Sequence, residues 1–180
     1  MIEINNTTKF KINEKLIKGV TEKFLLSRHL QKKYVSLAFV GEARMRELNK
    51  RYRKKDKTTD ILSFQNSPSQ IPLLVKEGLG EVKKTNPAYP PLRKRRDKIS
   101  SPLEGGAREI SDLGEIIINP AQIKRQAKEN NNSFQQELIF VLVHGLLHLA
   151  GYDDKTEKDR LAMIGLGEKF IKKLEVKSKK

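Results

Sequence analysis

The segment from Leu138 to Asp154 constrains this chain more than any other. It opens with the longest apolar run, Leu138 to Val143, and continues His144-Gly145-Leu146-Leu147-His148-Leu149-Ala150-Gly151-Tyr152-Asp153-Asp154. A helix that is apolar on nearly all sides has to be buried, so the pattern predicts a central helix that the rest of the fold surrounds. Ser133 with Gln136 three residues on is the capping-box signature for its start, and Gly151 marks its end. Two of the chain's three histidines lie four apart in this helix, on one face. Both rings can therefore address one ion, and Asp154, just past the Gly turn, can add a carboxylate.

Imidazole, imidazole and carboxylate suit Zn²⁺ or a similar first-row ion. Three protein ligands leave a coordination position for water, whose pKa the ion lowers, and that points to hydrolysis. Ligation needs neutral histidines, so affinity should fall in acid. Two readings compete with this one. The histidines can be hydrogen-bonded core residues, and Asp154 can simply cap the last helix through Asp154-Lys155-Thr156-Glu157. Asp153 either orients a histidine or closes the turn. A metallopeptidase carries Glu after its first histidine as general base, and here Gly145 stands at that position. Gly145 instead lets another chain segment approach closely.

Composition narrows the partners. Thirty-seven Lys and Arg against 22 Asp and Glu leave a net charge of +15, a field that attracts polyanions such as RNA, DNA or a ribosomal surface. Cysteine is absent, which excludes disulfides and thiolate chemistry. The N-terminus lacks a signal-peptide pattern and no apolar run approaches the length of a membrane span, so a cytoplasmic protein is expected.

Residues 66–110 differ from the rest. They hold six of the seven prolines, four glycines and the basic cluster Arg93-Lys94-Arg95-Arg96, without a helical or strand period. They are expected to be a flexible insertion in one domain spanning 1–180. Their net charge is +4, so 11 of the 15 excess charges lie elsewhere. Around them the chain reads as mixed α and β. Strands are expected at 1–5, 34–40, 61–64 and 115–118, the last two neighbours once the insertion is looped out. Helices are expected at 13–30, 43–52, from Pro120 behind an Asn119 cap, through the central segment, and from about Lys155 to Leu174 with Leu161, Ile164, Phe170 and Ile171 inward. His29 reads as an ordinary helix residue.

A second polar block runs Asn49-Lys50-Arg51-Tyr52-Arg53-Lys54-Lys55-Asp56-Lys57-Thr58-Thr59-Asp60 and leads into Ile61-Leu62-Ser63-Phe64. Arg53, at a helix end, can grip a phosphate in planar, bidentate fashion. Lys54, Lys55 and Lys57 offer diffuse attraction for RNA, and Thr58, Thr59, Asp60 and Ser63 either cap turns or line a cleft.

Together these blocks resemble the YbeY family of bacterial endoribonucleases and ribosomal RNA maturation factors. His144, Gly145, Leu147, His148, Leu149, Gly151, Tyr152 and Asp153 match its hallmark. Asn49, Arg53, Asp56, Thr59, Asp60, Leu62, Ser63 and Phe64 match the upstream block, Leu113-Gly114-Glu115-Ile116 its strand motif, and Met163 and Glu168 its last helix. The resemblance implies an α/β (α+β) fold with a small mixed sheet packed against helices. It also implies a zinc ion on His144, His148 and the residue at 154, and a basic cleft where Arg53 assists cleavage of single-stranded RNA. The chain departs from the family by Asp154 in place of a third histidine, by Glu115 in place of Asp, and by the length of the insertion after Phe64. The leading expectation is a metal-dependent endoribonuclease acting on precursor ribosomal RNA at the ribosome or its small subunit. The alternatives are a ribosome-associated RNA-binding protein without catalysis, and a small zinc metallohydrolase.

Overall fold

A computed structural model of the chain describes residues 1–65 and 112–178. In order these form β1 (Ile2–Asn6), α1 (Glu14–Ser27), β2 (Tyr34–Phe39), α2 (Glu42–Arg53), β3 (Ile61–Gln65), β4 (Asp112–Ile118), α3 (Pro120–Glu129), α4 (Phe134–Leu149) and α5 (Glu157–Ser178). The expected insertion at 66–110, with its Arg93–Arg96 cluster, lies outside the described residues.

The four strands make one sheet in the order β1-β2-β4-β3. β1 and β4 each pair with β2 in parallel, and β3 pairs antiparallel with β4, Ile61 opposite Ile118. The sheet is therefore small and mixed. Side chains alternate across it. Val35, Leu37, Phe39, Ile116 and Ile118 face a core completed by Ile17 and Phe24 of α1, Ile123 of α3, Leu142 and Leu146 of α4 and Met163 of α5. Ala38, Leu62 and Ile117 face the other way, onto Met45 and Leu48 of α2. One helix thus covers one face and four cover the other, with α4 against the sheet among them.

The central helix is buried because its sequence leaves it no wet side. Leu142, Val143 and Leu146 are fully enclosed. The Ser133–Gln136 capping box forms as the spacing predicts. Asn119 caps α3 by accepting from the Ala121 and Gln122 N–H groups, with Pro120 in the first turn. Its Nδ2 donates to Thr58 Oγ1 at 2.9 Å, tying the start of α3 to the loop between α2 and β3. The same loop is held from its other side by Asn49, whose Nδ2 donates to the Lys57 carbonyl at 2.7 Å.

Three local expectations are corrected. His29 is not helical: α1 stops at Ser27, and His29 sits beyond it with φ 57°. The Leu30 N–H returns to the Leu25 carbonyl and the His29 N–H to that of Leu26, a Schellman ending that uses a left-handed residue. Leu161 is 59% exposed rather than inward, whereas Met163 is buried. The last helix starts at Glu157, and its N-terminal cap is Thr156, whose Oγ1 accepts the Asp159 N–H at 3.1 Å. Asp154 is therefore free of capping duty. Among the described residues no helix is long and apolar enough to cross a membrane.

Thr156→Ala should cost about 1 kcal/mol through the lost cap, read from urea titration. Asp154→Ala should show no such loss in the metal-free protein; equal losses in the two variants would return the cap to Asp154.

Candidate metal centre

The site grows from the C-terminal end of α4. Gly151 takes φ 94°, a conformation L side chains rarely adopt, and reverses the chain there. The Gly151 N–H bonds to the His148 carbonyl and the Tyr152 N–H to that of Leu147. This tight reversal brings the backbone carbonyl of Tyr152 back over the helix, 3.1 Å from His148 Nδ1. A carbonyl only accepts, so Nδ1 carries the proton and His148 Nε2 presents its lone pair to the cleft.

His144, one turn earlier, places its Nε2 3.1 Å from His148 Nε2. Asp154 Oδ2 lies 3.9 Å from the first and 3.8 Å from the second. Two donors held tetrahedrally by zinc at about 2.0–2.1 Å stand roughly 3.3 Å apart. The imidazole pair meets that spacing closely, and the carboxylate needs about half an ångström of adjustment. The donor set and its convergence fit a divalent cation.

Electrostatics favour the ligating form of His144. Burial holds its pKa below the ordinary histidine value, and the neighbouring His148 pushes in the same direction. Asp154 and Asp60 oppose this without reversing it.

Gly145 explains how the strand reaches the helix. A Cβ at this position would lie 2.5 Å from Ile61 Cδ1 and 3.0 Å from Ser63 Oγ. β3 thus runs directly over α4 at the level of the histidines, and the space a metallopeptidase glutamate would need is filled by protein.

The cluster opens into a cleft of about 810 Å³. Its far wall is the end of α2 and the start of β3. Arg53, Asp60 and Ser63 line it together with His144, His148, Asp153 and Asp154. Arg53 is exposed and makes no ion pair among the described residues. Lys54, Lys55 and Lys57 are exposed on the following loop and are not among the lining residues. That loop is drawn back onto α2, because Asp56 pairs with Arg46 and Lys50 at 2.7 and 2.9 Å. Asp60 is partly committed to structure: Oδ1 accepts from the Ile61 N–H and Oδ2 from Gln126 Nε2. Asp153 bonds the Asp154 N–H and pairs with Lys155, so it shapes the turn rather than orienting a histidine. Glu115 is not among the lining residues; it lies beside Phe64 and Ser36 in the sheet register, on the face opposite α4.

Lys155, Gln65 and the aromatic trio Tyr52, Phe64 and Tyr152 also line the cleft, and none of these roles was anticipated. Tyr52 and Phe64 meet edge to face at 5.0 Å. All three aromatics lie inside the segments already quoted, but spacing alone does not say that strand, helix end and turn converge.

The chain is similar to proteins of one family along most of its length. The family model described as Endoribonuclease YbeY matches residues 2–175. An Endoribonuclease YbeY from Geobacillus thermodenitrificans (strain NG80-2) is 36% identical over 137 residues, 76% of this chain and 70% of that protein. One from Bacillus mycoides (strain KBAB4) is 32% identical over 157 residues, 87% of this chain and 83% of its own length. The match to a third, from Geobacillus sp. (strain WCH70), is 39% identical and spans 72% of this chain but 65% of that protein, just under two thirds. A solution structure of a Thermotoga maritima protein aligns with TM-score 0.52 at 27% identity, covering 95% of this chain and 87% of that one.

Two outcomes are expected. Because folded His144 titrates below its unfolded value, the unfolded chain binds more protons in that window. Stability of the chelator-treated protein should therefore be fullest above pH 6.5 and decline as pH falls from there to the lowered folded value; denaturant titrations across pH test this, and His144→Gln should flatten that part of the profile. Gly145→Ala gains about 1 kcal/mol of helix propensity and loses about 1–3 kcal/mol to overpacking. The net should be a loss of up to about 2 kcal/mol in thermal or urea unfolding, and a stabilised variant would show that β3 moves aside freely.

Proposed function

The chain belongs to the YbeY endoribonuclease family, and from that premise we propose that it is a metal-dependent endoribonuclease acting on single-stranded or precursor ribosomal RNA. The observation that carries the reading is the convergence of His144, His148 and Asp154 in a cleft that also holds Arg53. The three residues would hold Zn²⁺ or a similar divalent ion, making α4 a metal-binding helix. When bound, the ion supplies positive charge that polarises a phosphodiester and acidifies water beside it.

The chain's own groups do the rest. Arg53 presents a planar cation across the cleft and binds a non-bridging phosphate oxygen pair, where negative charge builds during cleavage. Lys155 adds a second cation at the rim. Tyr52, Phe64 and Tyr152 give the walls flat faces on which unstacked bases rest, which favours single strands over duplexes. The net charge of +15 concentrates RNA near this mouth and suits a partner as anionic as the ribosome or its small subunit, in the cytoplasm. Lys54, Lys55 and Lys57 contribute to that long-range field.

A second reading is favoured by one residue. Asp154 replaces a neutral donor with an anion, which leaves a bound cation less electron-poor. In that reading the protein binds ribosomal RNA and does not cut it. A peptidase-like zinc hydrolase is not favoured, because the packing at Gly145 leaves no room for the base.

Purified protein is expected to cut a single-stranded RNA only with a divalent ion present, and chelation should stop it. Asp154→Ala should weaken ion binding about 10- to 100-fold, and Arg53→Ala should slow cleavage by about 10²–10³ while leaving ion binding unchanged. Intact RNA binding by a fully metal-loaded protein that never cleaves supports the second reading instead.

A further inference from the structure

We propose that Arg28, from the first helix of the chain, is a positioning residue that acts through Tyr152 to orient His148 and to aim the segment carrying Asp154. The role of the cluster as a cation site is taken from the preceding reading. Arg28 caps the C-terminal end of α1 and is half-buried. Its Nη1 donates to Tyr152 Oη at 2.9 Å, across 124 residues of sequence. Its guanidinium carbon lies 5.1 Å from the centre of the Tyr152 ring and 5.7 Å from that of Phe24, which is fully enclosed.

Among the described residues Arg28 makes no ion pair. A long, flexible cation is thus immobilised between two rings and a phenol rather than beside a carboxylate. That is a stacking clamp, a use for which a planar guanidinium is suited and an ammonium is not.

What the clamp holds is the residue that fixes the histidine. The Tyr152 N–H bonds to the Leu147 carbonyl, and the Tyr152 carbonyl accepts from His148 Nδ1. Both peptide groups of this one residue are therefore engaged at the helix end. Its ring is the third point of attachment, and Arg28 supplies the partner. Swinging the ring away from Arg28 turns the Tyr152 backbone, which loosens the carbonyl from His148. It also redirects the chain that brings Asp154 to 3.8 Å from His148 Nε2 two residues later. A simple apolar anchor for Tyr152 predicts something different: the hydroxyl and Arg28 would then have no bearing on the histidine.

The test uses full-length protein, with Arg28→Met, Tyr152→Phe and the double variant. Tyr152→Phe removes only the hydroxyl and keeps ring and backbone, so it serves even if Arg28→Met folds poorly. Three quantities are read: the His148 tautomer by nitrogen-15 NMR in chelator-treated protein, Zn²⁺ affinity by competition with a chromophoric chelator, and the melting temperature. Wild type should show a single Nδ1–H tautomer. Each single variant should show a mixture of tautomers and bind Zn²⁺ about tenfold more weakly. The double variant should be no weaker than the worse single, because both act through one contact. Retention of the wild-type tautomer and of affinity within about twofold in Tyr152→Phe overturns the proposal, as do losses that multiply in the double variant. If wild type itself takes up no Zn²⁺, the cation reading fails, and the tautomer alone then decides the role of Arg28.

Discussion

The close approach of β3 to α4 at Gly145 is the constraint on which the site depends. A side chain there would press on the Ile61 and Ser63 side chains, which would have to shift to admit it. β3 leads directly back to the α2–β3 loop, and Arg53 stands at the far end of that loop. The glycine thus lets the strand that follows this loop pack closely on the helix that carries the two imidazoles. Helix propensity argues against glycine at mid-helix by about 1 kcal/mol, and the contact between layers outweighs it.

The remaining walls are fixed by buried amides. Asn49 and Asn119 are almost wholly enclosed, and each bonds the loop that separates α2 from β3. Glu137 does a comparable job at the α3–α4 corner, taking hydrogen bonds from Asn130 and Asn132. Leaving any of these groups unpaired would cost more than the net worth of its bonds. The α2–β3 loop and the α3–α4 corner are in this way tied by buried polar side chains to the elements beside them.

Much of this was legible in the order of residues. Helix α4 announced itself by its unbroken apolar surface, its Ser133–Gln136 start and its Gly151 stop, and the histidine pair followed from a spacing of four. The mixed sheet came from the family likeness, and the succession of β3 and β4 from setting 66–110 aside; their antiparallel pairing came from the structure. The misreadings share a cause. Asp154 and Thr156 are both good caps, and only the tertiary path of the chain decides between them. His29 sits where glycine or asparagine is usual, so nothing local marked the end of α1. Leu161 has the right period and the wrong phase. Lys155 lines the cleft while Lys54, Lys55 and Lys57 are exposed beside it, and a charge run does not reveal which lysines a cleft will include.

The contact between Arg28 and Tyr152 joins the first quarter of the chain to its last. During synthesis α1 is complete long before the histidine helix exists. No fragment ending ahead of Tyr152 can therefore present an ordered set of ligands. Removal of the N-terminal helix would also take away the partner that Arg28 offers the Tyr152 hydroxyl, two residues ahead of Asp154.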